Sequence, residues 1–572
     1  MKKIILSLAL FIGFIANAQT TFEWAKSIGG QNYDDANSIV LDAQGNVYVT
    51  GRFQKFVGTE VDFDPSAGVY NIAAIGQYDA FVVKLNSNGE FLWAKNFGGS
   101  GVAVTATSIT VDSNGNVYTT GFFPYTVDFD PSITAEFFLT AENQFGNAST
   151  DIYISKLDSN GNFVWAKRIG AQFFEAGVAI TNDSNDNIYI SGKFAGTVDF
   201  DPNGGTAELT GVSSSSGFIL KLNSSGNFIW AKSIAGAGVE VVTAITVDVS
   251  GNVFATGNFK SATDLDPGAA VFKITGDGAF ILKLDSGGNF VFAKGFTGNS
   301  NLDCSSIKVD ASGNIFTTGT FQQTADFDPS IATFNLTGIY GNADVFITKL
   351  NNLGSFVWAK KIHSRARDNC TALALDNLGN AYIAAYIATA DFKIDNSASI
   401  DVYPSTQGTE NMVILKFDTT GVLLAKNALG GTAVVAMAVD NSYNVHTCGN
   451  YVYSTDFNPD TPILSLSSNG YTDTFISKMK LRNETLGIST NKFNDKINLF
   501  PNPATSQINL LFADNLENAN LKITSILGQT VIEKQNVSGN NLNLDIASLS
   551  NGTYIIQVKD GSSIRTSKFI KQ

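Results

Sequence analysis

Cysteine and histidine are scarce in this sequence, and their scarcity weakens the case for several kinds of chemistry. The 572 residues include 3 Cys and 2 His. Three cysteines in a large chain cannot form a disulfide framework. Neither an H-E-x-x-H zinc motif nor a G-x-S-x-G serine-hydrolase motif surrounds His363, His446 or any serine. Catalysis therefore has little support, although a carboxylate pair acting as acid and base stays open.

Charged residues are also few, at 15% of the chain, and the two signs are unbalanced. Asp and Glu number 51 against 37 Lys and Arg, which gives a formal net charge of -14. A negative field of this kind repels phosphate backbones and anionic lipid. We therefore expect no nucleic-acid partner, whereas cations and neutral ligands such as glycans remain compatible with the composition.

Long apolar runs are absent except at the very start of the chain. Lys2 and Lys3 precede an apolar segment at 4–15, and Ala16-Asn17-Ala18 follows it. A basic start, a short apolar core and an A-x-A site are typical of a signal peptide, here 1–18, with cleavage between Ala18 and Gln19. No other run is long enough for a transmembrane helix in the mature chain. The sequence thus predicts export.

What the sequence does contain is a repeat. The segment at 79–95, DAFVVKLNSNGEFLWAK, returns as DIYISKLDSNGNFVWAK from Asp151 and as DVFITKLNNLGSFVWAK from Asp344. All five tryptophans precede the alanine of the Trp-Ala-Lys step, which predicts a shared packing role. That alanine recurs in seven registers, at Ala25, Ala94, Ala166, Ala231, Ala293, Ala359 and Ala425.

Each repeat reads as four short strands. Residues 36–42 and 46–51 alternate in polarity about one tight turn, and residues 79–85 and 90–95 do so about another. Four-stranded antiparallel units without helical periodicity between them predict an all-β fold, a β-propeller with one blade per repeat. Seven blades over 19–480 are expected, with first strands beginning near Ala36, Ala106, Gly177, Thr243, Ser305, Thr371 and Val434.

The two ends of the repeat region are incomplete in complementary ways. Residues 22–28 form a fourth strand without the first three, and residues 434–480 supply three strands without a fourth. We predict that the N-terminal strand completes the last blade and closes the ring, which removes two sheet edges. The loops between second and third strands and between blades then share one face, the long-loop face. The short turns lie on the opposite, tight-turn face. Contacts are expected on the long-loop face.

After residue 480 the repeat stops. Residues 481–496 are polar and read as a linker, and 497–572 show short alternating strands between Asn and Gly turns, which is typical of a small β-sandwich. The marks that stand out in this tail are Pro501, Asn502, Pro503, Gly528, Gly552, Tyr554, Lys568 and Lys571.

Both parts resemble known families. The pattern D-x-A-x-S-I-x-x-D-x-x-G-N-V-Y-V-T-G, followed by DFDP and K-L-x-x-x-G-x-F-x-W-A-K, resembles the SBBP β-propeller repeats of secreted bacterial proteins over 22–480. The tail resembles the type A C-terminal sorting domain of the type IX secretion system of Bacteroidetes. These resemblances imply a propeller, the type IX machinery as a partner, and export across both membranes to the cell surface or the medium. They imply no common activity.

An Asp-x-Asp-Pro motif follows the second strand of most repeats. Residues two apart in an extended segment point the same way, so each pair can present two oxygens to calcium, the one possible cofactor. Alternatively, the first Asp caps backbone amides of its loop and Asp-Pro starts a turn. The candidate calcium ligands are Asp62, Asp64, Asp128, Asp130, Asp199, Asp201, Asp264, Asp266, Asp326 and Asp328.

The sixth repeat departs from the others in both of its long loops. KKIHSRARD occupies 360–368, where other repeats read IGG or FGG, and DFKID occupies 391–395. His363, Arg365, Arg367 and Lys393 are candidate ligands for an anion or a sugar acid, since Arg offers paired donors to a carboxylate. Drift of a solvated loop is the alternative.

These observations favour an exported binding or adhesion module for a glycan or a surface protein. Two alternatives stay open. One is a polysaccharide lyase or hydrolase that uses the long-loop face, and the other is a purely structural surface protein.

Overall fold

The computed structural model describes 21–55, 58–142, 149–212, 215–236, 238, 240–298, 301–339, 341–389, 391–395, 400–401, 411–458, 464–481, 497–525, 529–560 and 563–572. The predicted signal peptide with its cleavage site at Ala18 and Gln19, most of the predicted linker, and Gly528 lie outside these residues. The chain divides into two compact units, 1–484 and 485–572, and each is described by itself. No helix among the described residues has the length and apolarity needed to cross a bilayer.

Antiparallel units of four strands build the first unit. Among the described residues, four of them are separate four-stranded sheets, and three extend to six strands because the fourth strand also pairs with a short hairpin of the next blade. Within a sheet the first strand pairs with the second, the second with the third, and the third with the fourth. The first strands are Asp34–Leu41, Thr105–Val111, Ala176–Asn182, Val241–Val247, Leu302–Val309, Asn369–Leu375 and Thr432–Val439. We number the blades 1 to 7 in this order.

The remaining strands follow the same order. The second strands are Val47–Gln54, Val117–Phe123, Ile188–Phe194, Val253–Phe259, Ile315–Phe321, Ala381–Ile387 and Asn444–Tyr451. The third strands are Tyr78–Leu85, Asp151–Leu157, Ser216–Leu222, Gly278–Leu284, Asp344–Leu350, Asn411–Phe417 and Asp473–Lys480. The fourth strands of blades 1 to 6 are Phe91–Phe97, Phe163–Ile169, Phe228–Gly236, Phe290–Gly298, Phe356–His363 and Leu423–Gly430.

The N-terminal strand supplies the missing fourth strand of blade 7, as predicted. Thr21–Ile28 pairs antiparallel with Asp473–Lys480, with Ala25 opposite Ser477. The first strand of blade 1 contacts the first strands of both blade 2 and blade 7. The ring is therefore closed through backbone pairing of the two ends of the repeat region, and the all-β propeller prediction is confirmed.

A small hairpin folds out of the loop between the second and third strands. In blades 1 to 5 its first arm ends at the first aspartate of the Asp-x-Asp-Pro motif. The paired arms are Val61–Asp62 with Asn71–Ile72, Thr126–Asp128 with Phe138–Thr140, Thr197–Asp199 with Glu208–Thr210, Thr263–Asp264 with Lys273–Ile274, Thr324–Asp326 with Asn335–Thr337, Asp391–Ile394 with Ile400–Asp401, and Ser454–Asp456 with Ser465–Ser467.

The repeated tryptophan joins neighbouring blades. Trp93 Nε1 donates to the carbonyl oxygen of Ser159 at 3.2 Å, within the turn between the third and fourth strands of blade 2. Gly161 of that turn has φ +81, and a Cβ atom there would lie 3.0 Å from the Trp93 ring. Glycine suits this position because it accepts a positive φ and leaves room for the indole. Equivalent bonds are made by Trp24, Trp230 and Trp358.

The second unit is a five-stranded arrangement with its own apolar core. Its strands are Asn498–Phe500, Gln507–Ser525, Thr530–Asp545, Gly552–Asp560 and Ser563–Lys571. The two long strands pair with each other at both ends, and only the second half of Gln507–Ser525 pairs with Gly552–Asp560. Buried side chains from both halves, such as Ile508 and Ile556, belong to one core. The sandwich therefore arises from one continuous sheet whose halves share a core.

Candidate functional site

The first aspartate of each Asp-x-Asp-Pro motif caps its own hairpin. Asp62 Oδ1 accepts the backbone N–H groups of Asp64 at 3.0 Å and Tyr70 at 2.8 Å. Asp64 Oδ1 accepts the N–H of Ser66 at 2.9 Å. The same bonds recur around Asp128, Asp199, Asp264, Asp326 and Asp456.

The residue between the two aspartates anchors the hairpin in the blade. Phe63 is fully buried, and its ring centroid lies 5.2 Å from that of Phe53 and 5.3 Å from that of Phe81. These contacts account for the motif as a hairpin cap with an apolar anchor. Within the described residues no group of three or more His, Cys, Asp or Glu side chains is arranged to hold a metal. Calcium binding by these loops stays a prediction, and comparison of melting with calcium and with chelator tests it.

The basic cluster lies where blade 5 passes into blade 6. Arg365 and Arg367 are exposed on the connecting turn, and Lys393 is exposed on the blade 6 hairpin. Strand pairing sets His363 opposite Lys393. The turn is held by Asp368, whose carboxylate accepts the Ser364 N–H at 2.6 Å and its hydroxyl at 2.7 Å. The structure thus groups the predicted cationic residues on the long-loop face.

His363 differs from its neighbours in this cluster because it is buried. Its side chain donates from Nε2 to the carbonyl oxygen of Asp395 at 3.0 Å. Burial lowers the pKa of His363, and the cations of Lys361 and Lys393 lower it further. A buried, neutral imidazole offers little to an anion, so Arg365, Arg367 and Lys393 are the accessible members.

A cleft that was not predicted from the sequence opens between blades 2 and 3. It has a volume of about 770 Å³ and runs between the hairpins of the two blades, with Asp199 and Asp201 in its wall. Phe173 is 51% exposed at its edge. Arg168 in the same wall donates from Nη1 to Asp151 Oδ2 at 2.5 Å and lies 3.9 Å from Glu142.

A second cleft of about 720 Å³ opens at the neighbouring junction, between blades 1 and 2. Its wall includes Ile75, Tyr125, Glu136 and Phe138, with Asp128 beside them. Tyr125 and Phe138 are 45% and 56% exposed. Exposed aromatic rings beside carboxylates are therefore a shared feature of both clefts.

Tyr125 occupies a backbone position that disfavours tyrosine. Its φ is +56, in the left-handed region, and the equivalent position in blade 3 is Gly196 with φ +67. A residue with a Cβ atom costs about 1–2 kcal/mol in this region. Aligning the segments that follow Phe123 and Phe194 in the sequence would have revealed a tyrosine in the place of a glycine.

The described marks of the C-terminal unit lie on its last two strands or in a loop that is bonded to the last strand. Asn502, between Pro501 and Pro503, accepts the N–H of Ile570 on Oδ1 at 2.8 Å and donates from Nδ2 to the carbonyl oxygen of Lys568 at 3.2 Å. The remaining described marks belong to the same strand pair. Gly552 pairs with Lys571, and the Tyr554 ring stacks on Phe569 with centroids 5.5 Å apart.

The comparisons with known families agree with this division. Residues 498–572 match the Secretion system C-terminal sorting domain, and 23–52 and 92–121 match the Beta-propeller repeat named SBBP. Fold and tail together define an exported repeat propeller. More particularly, the chain carries SBBP repeats and a type IX sorting domain, which directs it to the cell surface or the medium.

Relatives and solved structures add little about activity. The chain is 25% identical over 512 residues to the Uncharacterized WD repeat-containing protein L264 of Acanthamoeba polyphaga mimivirus, covering 75% of this chain and 36% of that protein. It is 26% identical over 170 residues to the Regulatory protein FlaEY of Caulobacter vibrioides, covering 29% and 16%. The chain thus spans about a third or less of the length of these curated relatives.

Two solved propellers overlap the chain weakly. The Dos1 propeller covers 80% of this chain and 95% of its own, at 9% identity and a TM-score of 0.36. Sqt1 from Chaetomium thermophilum covers 80% and 99%, at 9% identity and a TM-score of 0.37. The propeller assignment rests on the strand pairing and the repeat matches.

Proposed function

We propose that this exported propeller is a binding module that takes a surface glycan in the clefts of its long-loop face. The observation that supports this most is the pair of adjacent clefts, each of which sets exposed aromatic rings beside carboxylates. A sugar ring has an apolar C–H face that packs on an aromatic ring and hydroxyl groups that donate to carboxylates. Ligand sites of proteins are commonly concave and of this size.

The charges of the clefts favour a neutral sugar over a sugar acid. Acidic side chains such as Glu136, Glu142 and Glu208 line the walls. Arg168 is already engaged by Asp151, so it is not a free partner for an anionic ligand. A carboxylated sugar would meet repulsion here, and the basic cluster at blades 5 and 6 suits it better.

The test measures retention of the purified protein on a panel of immobilised neutral and acidic polysaccharides. Tyr125→Ala and Phe173→Ala each remove one exposed ring from a different cleft. We expect retention on a neutral glycan to fall about tenfold for each, equal to about 1.4 kcal/mol of binding free energy, with thermal unfolding nearly unchanged.

Tyr453→Ala is the matched control. Tyr453 has φ +58 and is 75% exposed, at the same hairpin position in blade 7. Its replacement should leave retention as in the wild type. If the glycan panel stays blank, or if all three variants bind as the wild type does, the glycan proposal is wrong and adhesion to a surface protein replaces it.

A further inference from the structure

Among the described residues, three blade junctions each bury two carboxyl groups, and burial together with the negative charge of one acid raises the pKa of the other. In each, one acid opens the third strand of a blade and the other stands at the start of the next blade's first strand. None of the six side chains is more than 2% exposed. The pairs are Asp473 with Asp34 between blades 7 and 1, Asp151 with Glu175 between blades 2 and 3, and Asp344 with Asp368 between blades 5 and 6.

One backbone hydrogen bond brings the members of each pair together. The N–H of the first-strand acid donates to the carbonyl oxygen of the residue just before the third-strand acid. The three bonds are Asp34 to Thr472 at 2.9 Å, Glu175 to Thr150 at 2.8 Å and Asp368 to Ala343 at 2.8 Å. The same register at all three junctions makes the two acids neighbours across the blade boundary.

Five oxygens of these carboxyl groups are buried without a hydrogen-bond partner. They are Asp34 Oδ1, Asp473 Oδ1, Asp151 Oδ1, Glu175 Oε1 and Asp344 Oδ1. Two ionised carboxylates in such a place would repel each other and lack the donors that water supplies outside. A proton on one member would remove the repulsion and supply the missing donor.

A junction with one acid serves as an internal comparison. Asp79, between blades 1 and 2, faces Val104, whose N–H donates to the carbonyl oxygen of Tyr78 at 2.9 Å in the same register. Its two oxygens accept the N–H groups of Ile75 and Gly76, both at 2.9 Å, and the Asn96 amide at 2.7 Å. Here the single carboxyl group has all of its bonds.

The surrounding charges differ among the three pairs. Arg168 forms an ion pair with Asp151 and lies 3.9 Å from Glu142. The positive charge of Lys361 acts on Asp344. The pair at blades 7 and 1 has Asp35 and the phenol groups of Tyr78 and Tyr451 as its titratable neighbours, and Arg52 lies 3.3 Å from Asp35.

In the pair at blades 7 and 1, each acid has one oxygen that accepts a backbone N–H and one oxygen without a partner. Asp34 Oδ2 accepts the Gly30 N–H at 2.6 Å, Asp473 Oδ2 accepts the Asn469 N–H at 2.9 Å, and both Oδ1 atoms are unpartnered. Burial above all raises the pKa of Asp34 to about 7 and that of Asp473 to about 6. This junction is the one that closes the ring.

We propose that each of the three pairs holds one proton in a carboxyl–carboxylate hydrogen bond between blades, and that the pair of Asp34 and Asp473 makes ring closure sensitive to pH. The O–H of one member donates to the unpartnered oxygen of the other. Loss of that proton leaves two buried negative charges at the boundary.

The sign of the effect follows from linkage. Carboxyl groups of the unfolded chain have pKa values of about 4. Because the folded pairs bind the proton more tightly, their contribution to stability is complete below about pH 4 and is lost as the pH rises through about 6 to 7. Stability should therefore fall between these limits and level off above them.

The experiment has an optical arm and a thermal arm, both on the full chain. Infrared spectra of the folded protein at pH 6 should show the C=O stretch of protonated carboxyl groups, which should vanish on unfolding in denaturant at the same pH. The melting temperature of the wild type should fall from pH 5 to pH 8.5. In Asp473→Asn the fall should be smaller, because an amide donates to Asp34 at either pH.

Asp303→Asn is the control, since Asp303 is exposed on the first strand of blade 5. It should keep the wild-type pH profile. Absence of the protonated band at pH 6, or an Asp473→Asn profile as steep as the wild type's, overturns the proposal. So does a rise in melting temperature with calcium at pH 8.5 that Asp473→Asn abolishes, because the pair then holds a cation. If Asp473→Asn does not fold, the infrared arm decides alone.

Discussion

The two faces of the propeller are made from the ends of the same strands, yet they differ in how completely their buried carboxyl groups are hydrogen-bonded. On the tight-turn face, Asp112 accepts the N–H groups of Asn114 and Asn116 on Oδ1, both at 2.9 Å. Its Oδ2 accepts the Asn116 amide at 2.7 Å and the Tyr118 hydroxyl at 3.0 Å. On the long-loop face, one oxygen of each buried acid, Oδ1 of Asp34 and Oε1 of Glu175, has no donor.

The pKa values express the same difference. Burial acts to raise the pKa of Asp183 on the tight-turn face, but hydrogen bonds from Asn187 and Tyr189 outweigh it and the pKa lies below its usual value. Burial raises the pKa of Glu175 on the long-loop face to about 7. The carboxyl groups of the tight-turn face are therefore hydrogen-bonded within their own repeated turns. The long-loop face instead has clefts and buried acids with unpartnered oxygens.

The largest expected effect comes from the tight-turn face, where a tryptophan locks adjacent blades. Trp358 is 8% exposed, donates from Nε1 to the carbonyl oxygen of Thr419 at 3.1 Å, and lies against Gly421. Trp358→Ala should cost about 3–5 kcal/mol of the free energy of unfolding, measured from the urea midpoint. Val357→Ala, at a neighbouring position that is 46% exposed, should stay within about 0.5 kcal/mol. Equal midpoints for the two variants would refute the blade-locking role.

A smaller effect compares one glycine from each face. Gly161 on the tight-turn face and Gly101 on the long-loop face have φ +81 and +74. Alanine at either should cost about 1–2 kcal/mol through the backbone. Gly161→Ala should cost more, because its Cβ would lie 3.0 Å from the Trp93 ring, whereas nothing lies within 4 Å of one at Gly101. Melting temperatures of the two variants measure the difference, and a larger loss for Gly101→Ala would contradict it.

The tight-turn face could be predicted from the sequence more completely than the long-loop face. Its features are local patterns, whereas those of the long-loop face depend on contacts between residues far apart in the sequence. The turn glycines, the tryptophan step and the strand periodicity are local patterns that each repeat shows again. Ring closure followed because the incomplete ends matched. The pairing of Asp151 with Glu175 depends on the register across a blade boundary, which no local pattern encodes. The cleft beside Phe173 depends on the relative position of two hairpins.

The C-terminal unit shows the same limit on a smaller scale. Its marks, such as Asn502 and Lys568, were visible as an ordered series in the sequence. The contact that joins Asn502 to the last strand could not be predicted, because it links residues that are far apart in the sequence. Asn502 bonds both the carbonyl of Lys568 and the N–H of Ile570, so the first loop of the domain is fastened to its last strand.

We expect the smallest effect on stability at the basic cluster. Replacing its arginines tests whether acidic and neutral glycans bind at different sites on the long-loop face. Arg365 and Arg367 are exposed on a turn that Asp368 holds without them. The double replacement Arg365→Ala and Arg367→Ala should change the free energy of unfolding by less than about 0.5 kcal/mol. Retention on an acidic polysaccharide should fall about tenfold, since a charge-assisted bond to a carboxylate contributes about 1.5–3 kcal/mol.

The matched control removes the same charge from blade 4, through Lys260→Ala and Lys273→Ala, both exposed near its hairpin. If the loss came from net charge alone, the two double variants would lose acidic polysaccharide equally. A loss confined to the arginine variant, with neutral glycan still retained, places a sugar-acid site at blades 5 and 6 apart from the acidic clefts. Unchanged retention in both leaves the cluster as a divergent loop, and ligand contact then belongs to the clefts around Tyr125 and Phe173.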